Sequence, residues 1–261
     1  MTIVKHELRR SKLMLIIWTA AIGFMLAIAV LLYPQMKDEM QNASEMFADM
    51  GAMSDAFGMD KLDFGTFNGY YAIECGNVLG LGGAFFAALA AVAILAKEEK
   101  DHTAEFLLTH PLKRRRIVSE KLAAIAVQLV AMNAAICALS IVSILAIGEE
   151  VPWKEFWLLH GAYFIMQVEL AGICFGISAF VRKGGIAIGL GVAVLAYFLN
   201  IIANLTESAK FLKYVTPFGY CEGADIVADG ALDAAKIAIG LALCVGGIAA
   251  AFVKYEKKDI R

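Results

Sequence analysis

Apolar residues in this chain occur in six long runs that are separated by polar segments. Each run has about 20 residues or more, the length that a helix needs to cross the hydrocarbon core of a bilayer. The runs cover residues 13–33, 71–96, 122–147, 156–181, 186–204 and 234–253. Because the bilayer core contains no water, the backbone groups of each run must pair within that run, which predicts helices. The pattern therefore predicts an all-α, polytopic membrane protein with six spans in one transmembrane domain over residues 1–261.

The composition agrees with a membrane location. Hydrophobic residues make up 60% of the chain and charged residues only 18%, whereas soluble domains average about 45–50% apolar and about 25% charged. The net charge of −2 shows no basic excess, so a nucleic-acid partner has no support. No small-x-small cleavage site follows the first run, which is therefore predicted to remain as a span rather than to be removed as a signal peptide.

The distribution of lysine and arginine predicts the orientation. If the N-terminus is cytosolic, the segments on that side hold 17 of the 23 Lys and Arg residues, and the opposite side holds six. Basic residues in short flanking segments favour the cytosolic face of a membrane. We therefore predict that both termini are cytosolic.

The segment 97–121, with the sequence KEEKDHTAEFLLTHPLKRRRIVSEK, contains 12 charged residues between two spans. Thr103 can cap a short helix, and Glu105 suits the positive end of its dipole. Residues 106–108 (Phe-Leu-Leu) form an apolar patch, and Pro111 ends the helix. A simple positive-inside loop explains the arginines but not an apolar patch on the water side. We therefore predict a short helix that docks in a groove of a partner.

This segment resembles the one between the second and third spans of ABC-2-type transporter permeases. The family pattern is roughly an acidic residue followed by GTxExLLxxPxxRxxIxxxK. The positions in register are Glu98 or Glu99, Thr103, Glu105, Leu107, Leu108, Pro111, Arg114, Ile117 and Lys121. The chain departs from the pattern at His102, where the family has glycine. The resemblance implies a cytosolic coupling helix that sits in a groove of an ATPase subunit.

Two further segments resemble the same family. TPFGYCEGADIVADG, at 216–230, is similar to its PF-x-Y…D-I…G segment, and YEKKDIR, at 255–261, is similar to its C-terminal ending. The resemblance implies a permease subunit of a bacterial ABC exporter in the cell membrane, with re-entrant outer helices within 206–233. It also implies two partners, a P-loop ATPase and a second permease copy or homologue. The residues predicted to couple to the ATPase are Glu99, Thr103, Glu105, Phe106, Leu107, Leu108, Pro111 and Arg114.

Common catalytic motifs are missing from the sequence. It contains no GxxxxGK[ST] phosphate loop, no GxSxG and no HExxH, so ATP and Mg are expected in the partner subunit, and no cofactor or metal is expected here. The four histidines are scattered and the five cysteines form no CxxC pair. A disulfide between Cys75 and Cys221 stays open, because both lie near the predicted outer face.

Glu169 lies near the middle of the fourth run, where an ionised carboxylate is costly. It could bind a proton or a cationic group, or it could pair with a donor on a neighbouring helix. An ATPase-independent ion-coupled carrier or an intramembrane enzyme, the alternative class of protein, would use Glu169 and His160, although these lie on different faces of one helix. Other polar residues within the runs are expected to form interhelical hydrogen bonds: Gln128, Asn133, Gln167, Asn200 and Asn204.

The outer segment 34–68 contains apolar side chains at the period of an amphipathic helix, namely Met36, Met40, Ala43, Phe47 and Met50. This helix could pack at the membrane interface or form a gate. GxxxG spacings in the second, fourth and fifth runs allow close helix packing, either within the bundle or across a dimer. The apolar bundle suits lipophilic or amphipathic cargo, such as a peptide, an antimicrobial compound or a lipid.

Overall fold

The computed structural model describes residues 2–48, 66–97, 113–181 and 185–257. Helices account for nearly all of these residues, and no strand occurs among them. The α-helices are α1 (Thr2–Ala48), α2 (Phe67–Glu74), α3 (Leu81–Val92), α4 (Arg114–Ala146), α5 (Trp153–Ser178), α6 (Ile186–Leu205), α7 (Gly223–Asp229) and α8 (Ala234–Lys257). Six helical segments in the described ranges are long and apolar enough to cross a membrane. The prediction of an all-α, six-span protein is confirmed.

Helix α5 lies at the centre of the bundle. It packs along α8 on one side and along α3 on another, while α1 packs along α4 and α6 packs against α3. The α5 span is the most buried of the six, and the spans of α1 and α8 are the least buried. Exposed apolar side chains such as Leu13 and Phe24 on α1 and Val245 on α8 face the space that lipid occupies around a membrane bundle.

The first helix continues without a break through Pro34 to Ala48. Proline removes one backbone hydrogen bond, and long apolar helices tolerate it because the rest of the ladder remains paired. Met36 and Met40 are half-buried on the same side as the buried Tyr33. The first span and the start of the predicted amphipathic segment therefore form one helix, and residues 49–65 lie outside the described ranges.

Glycines allow the central helices to approach closely within the chain. The second span contains a π-helical turn (Cys75–Gly80) between α2 and α3, and a Cβ at Gly83 would lie 2.2 Å from Nε2 of Gln167 on α5. A Cβ at Gly176 on α5 would lie 2.7 Å from the carbonyl oxygen of Gly247 on α8. Of the two roles considered for the GxxxG spacings, the structure shows packing within the bundle.

Between α6 and α8 the chain forms two 3₁₀ helices (Glu207–Tyr214 and Pro217–Tyr220) and then α7. The Thr216 hydroxyl donates to the carbonyl of Ala196 at 2.6 Å, and the Cys221 thiol donates to the carbonyl of Ala162 at 3.4 Å. Ala162 lies about 13 Å along α5 from its first residue at helical rise. The segment therefore inserts into the bundle, as the predicted re-entrant helices require.

Candidate coupling site and interior polar groups

Two lysines that flank the predicted coupling segment bind one buried carboxylate. Nζ of Lys121 lies 3.1 Å from Oε1 of Glu7, and Nζ of Lys97 lies 3.2 Å from Oε2 of the same residue. Glu7 is 2% exposed and Lys121 is fully buried. Lys121 also donates to the carbonyl of Ile94 at 2.5 Å, beyond the last turn of α3, where carbonyls lack helical partners. Glu7 thus joins both flanks of the segment to α1.

The start of α4 also holds the ends of two other helices. The Glu120 carboxylate accepts from the backbone N–H groups of Ile3 and Val4 at 3.0 and 3.4 Å, which satisfies free donors in the first turn of α1. The Arg114 guanidinium donates to the carbonyls of Tyr255 and Glu256 at 3.3 and 3.2 Å. These carbonyls belong to the last turn of α8, where a cation is favourable.

Most predicted coupling residues lie outside the described ranges: Glu99, Thr103, Glu105, Phe106, Leu107, Leu108 and Pro111. Arg114 is described, and its side chain binds the end of α8. Lys121, the last position of the family pattern, is described as part of the Glu7 pair. Sequence reasoning missed Glu7. The available signal was an acidic residue ahead of the first apolar run, among four basic ones.

A cleft of about 410 Å³ opens beside the Glu7 pair. Its wall is mainly apolar and comes from α1, α3 and the start of α6, and its polar side includes Glu7, Arg10 and Lys97. The apolar lining includes Met14, Leu89 and Ile186. The cleft lies at the end of the bundle that contains the N-terminus.

At the opposite end, Glu222 organises the re-entrant segment. Its Oε1 accepts from the side-chain amides of Asn200 and Asn204 at 3.0 and 2.5 Å, and its Oε2 lies 2.9 Å from Nζ of Lys213. Two of the predicted interhelical polar residues therefore bind this carboxylate. Glu222 belongs to the 216–230 sequence motif, but sequence reasoning did not assign it a role.

Glu169 is fully buried, and neither carboxylate oxygen has a hydrogen-bond partner among the described residues. A Cβ at Gly240 would lie 2.1 Å from its Oε2, so the carboxyl group abuts the backbone of α8. The Tyr220 hydroxyl is the polar group that faces it, although that hydroxyl also lacks a hydrogen bond in the described part of the chain. Of the two interpretations, the one that pairs Glu169 with a donor on a neighbouring helix finds no hydrogen-bonded donor within the described ranges.

His160 belongs to a different group of side chains. Its Nε2 lies 2.8 Å from the Tyr71 hydroxyl, and its Nδ1 lies 3.3 Å from Sγ of Cys137. Farther along α5, Gln167 accepts from the amide of Asn133 at 2.6 Å. These contacts join α5 to α2 and α4, whereas Glu169 faces α8. His160 and Glu169 therefore form no joint site.

The cysteines near the re-entrant segment are not linked to one another. All five cysteines are free, including Cys75 and Cys221, so the disulfide that the sequence left open is not formed. Burial raises the pKa of the Cys221 thiol well above its usual range. Burial likewise raises the pKa of the Tyr220 phenol, which is therefore a neutral hydroxyl beside Glu169.

Comparison with known proteins agrees with this architecture. The family model described as ABC-2 family transporter protein matches residues 1–260, which is nearly the whole chain. A search of curated proteins found no match. The resemblance seen in the three sequence motifs is thus confirmed over the full length. The chain belongs to the ABC-2 family of transporter proteins and is a multi-pass membrane permease.

Proposed function

We propose that this chain is the membrane subunit of an ATP-driven exporter in a bacterial cell membrane and that a separate P-loop ATPase docks on residues 97–111. The observation that carries the proposal is the convergence of Lys97 and Lys121 on Glu7. Both flanks of the docking segment are thereby tied to one buried carboxylate. A force applied between the flanks would reach the bundle through these two ion pairs.

The contacts at the base of the docking segment define how motion would reach the spans. Lys97 and Lys121 connect it to α1 through Glu7, and Arg114 connects it to the last turn of α8. Helix α1 packs on α4, and α8 packs on the central α5. ATP-driven closure of two ATPases would therefore rotate α1 and α8 about α4 and α5. A second permease copy or homologue would complete the pathway.

The surfaces of the bundle favour apolar or amphipathic cargo. The cleft beside Glu7 combines an apolar wall with basic side chains at the end predicted to be cytosolic. A peptide, an antimicrobial compound or a lipid could place its apolar part against Met14 and Leu89 and its polar part near Arg10. Outward release would follow at the end that holds the re-entrant segment.

Purification of the tagged chain from its host membrane in mild detergent, followed by mass spectrometry, tests the proposal. We expect a P-loop ATPase in near-equal amount with the wild-type chain and its loss with the double variant Phe106→Asp, Leu107→Asp. The matched control is Phe211→Asp, Leu212→Asp, which places the same charges on the re-entrant segment and should retain the ATPase.

A chain that elutes alone under every mild condition would overturn the proposal. It would favour the alternative of an ATPase-independent carrier or intramembrane enzyme, for which the buried and unpaired Glu169 is the supporting observation. Retention of the ATPase and of its coupled activity by the Phe106, Leu107 double variant would instead place the docking surface elsewhere.

A further inference from the structure

The Glu169 carboxyl group occupies an enclosed space at the centre of the bundle. The side chain is fully buried on α5. Gly240 on α8 closes one side. A Cβ added to this glycine would lie only 2.1–2.5 Å from the atoms of the carboxyl group, so the backbone of α8 is in direct contact with it. The Pro217–Tyr220 helix and Cys221 lie against another side, close to the carboxyl group.

Within the part of the chain that the structure describes, the titratable groups that face this carboxyl group are Tyr220, Cys221 and Cys244. None of these side chains can supply a positive charge. The Cys221 thiol donates to the carbonyls of Ala162 and Pro217, and the Cys244 thiol donates to the carbonyl of Val168 at 3.6 Å. Both thiols thus donate to other groups, and among the described residues the Tyr220 hydroxyl is the polar group that remains to face the carboxyl group.

An ionised carboxylate in such a place would need a cation or several donors. Burial of an isolated charge is far more costly than burial of the neutral acid, and the group takes up a proton instead. Within the described ranges Glu169 has neither an ion pair nor a hydrogen bond. By contrast, Glu222 has two amides and a lysine around it. Glu169 and Glu222 therefore carry the same carboxyl group, but only Glu222 has donors and a positive charge around it.

We propose that Glu169 is a proton-binding site and that in this packed arrangement it is a neutral carboxylic acid enclosed by α5, α8 and the 217–221 turn. When the turn and α8 move away from α5, water reaches the carboxyl group and accepts its proton. The proton returns before the three elements pack again. Proton binding is thus linked to the closure of α8 and the re-entrant segment on the central helix.

Infrared spectroscopy of the full chain in lipid nanodiscs at neutral pH tests this site directly, with each variant spectrum compared with that of the wild-type chain. The carbonyl stretch of a protonated carboxylic acid is separate from the amide and carboxylate bands. We expect this stretch in the wild-type chain, its loss in Glu169→Gln, and its retention in the control Glu150→Gln, which changes an exposed carboxylate between α4 and α5. The measurement does not need the ATPase, so it tests proton binding by Glu169 separately from the proposed exporter function.

Two outcomes would overturn the proposal. The first is a wild-type spectrum without the protonated band, which would mean an ionised Glu169 held by a cation. The second is a band that Glu169→Gln leaves in place. If that variant does not fold, reaction of the wild-type chain with dicyclohexylcarbodiimide, which modifies protonated carboxyl groups in apolar surroundings, gives a second reading. An adduct on Glu169 supports the proposal, and adducts on other carboxyl groups alone contradict it.

Discussion

Nζ of Lys121 lies 3.1 Å from Oε1 of Glu7, and the two side chains are 0% and 2% exposed. They are 114 residues apart in the sequence and join the start of α4 to the start of α1. Lys97, on the other flank of the docking segment, binds the second oxygen of the same carboxylate. Glu7 therefore binds both flanks of the proposed docking segment and connects them to α1.

Replacement of Glu7 by glutamine should destabilise the chain by about 3–5 kcal/mol, because the buried Lys121 ammonium would lose its counter-charge. Lys121→Met should destabilise it less, since Glu7 keeps Lys97. The double variant should recover part of the loss from Glu7→Gln. Thermal unfolding of the three variants in lipid nanodiscs measures this coupling. Strictly additive effects would show that the two residues do not interact.

Removal of the Arg114 side chain should free the last turn of α8. Its guanidinium donates to two carbonyls there, and hydrogen bonds to a charged group contribute about 1.5–3 kcal/mol each in favourable cases. Hydrogen exchange of residues 250–257 should therefore rise in Arg114→Ala. The neighbouring Arg115 is largely exposed and binds the Glu256 side chain, so Arg115→Ala is the control and should leave exchange unchanged.

Glu222→Ala should loosen the re-entrant segment. The change removes one acceptor from Lys213 and one from each of the amides of Asn200 and Asn204. Hydrogen exchange across residues 207–222 should increase, while exchange in α5 stays low. Asp225→Asn is the matched control, because the Asp225 carboxylate lies 3.9 Å from Nζ of Lys213 and is a weaker partner. Equal exchange in wild type and Glu222→Ala would show that this carboxylate does not hold the segment.

Gly176→Ala should disrupt the contact between α5 and α8. The new Cβ would lie 2.7 Å from the carbonyl oxygen of Gly247, and a backbone atom cannot move aside without a shift of the helix. The result should be a clear fall in Tm. Gly246→Ala is the control on α8, since nothing lies within 4 Å of a Cβ at that position. A fall of similar size in both variants would assign the loss to something other than this contact.

The sequence predicted the six spans because backbone groups in the bilayer core must pair within their own helix, and such helices appear in the sequence as long apolar runs. It also placed Lys121 in a motif and Glu169 in a span. It could not pair Lys121 with Glu7, because a contact over 114 residues leaves no local pattern. Nor could it show that Glu169 faces Gly240 and the Tyr220 hydroxyl rather than a basic side chain, since helix rotation is set by packing with neighbouring helices.

For the interior polar residues too, the sequence predicted which residues form contacts but not all of their partners. Asn200 and Asn204 are polar residues within an apolar run, which predicted hydrogen bonds to other elements, and both bind Glu222. Their acceptor, Glu222, lies in a short segment without a long apolar run, and the sequence of such a segment indicates little about its tertiary contacts. The first apolar run ended at residue 33, whereas the helix continues through Pro34 to Ala48, because helical backbone pairing extends beyond the apolar stretch.

An ATP-dependent distance change across the bundle tests the central claim most directly. Spin labels at Leu32 on α1 and Leu205 on α6 would report on the end opposite to the docking segment, since both side chains are exposed. With the co-purified ATPase in lipid nanodiscs, trapping of the ATP-bound state should shift the distance distribution. The shift should vanish in Glu7→Gln, Lys121→Met while the ATPase remains bound. A distribution that is unchanged by ATP in the wild-type complex would contradict a permease driven through the Glu7 ion pairs.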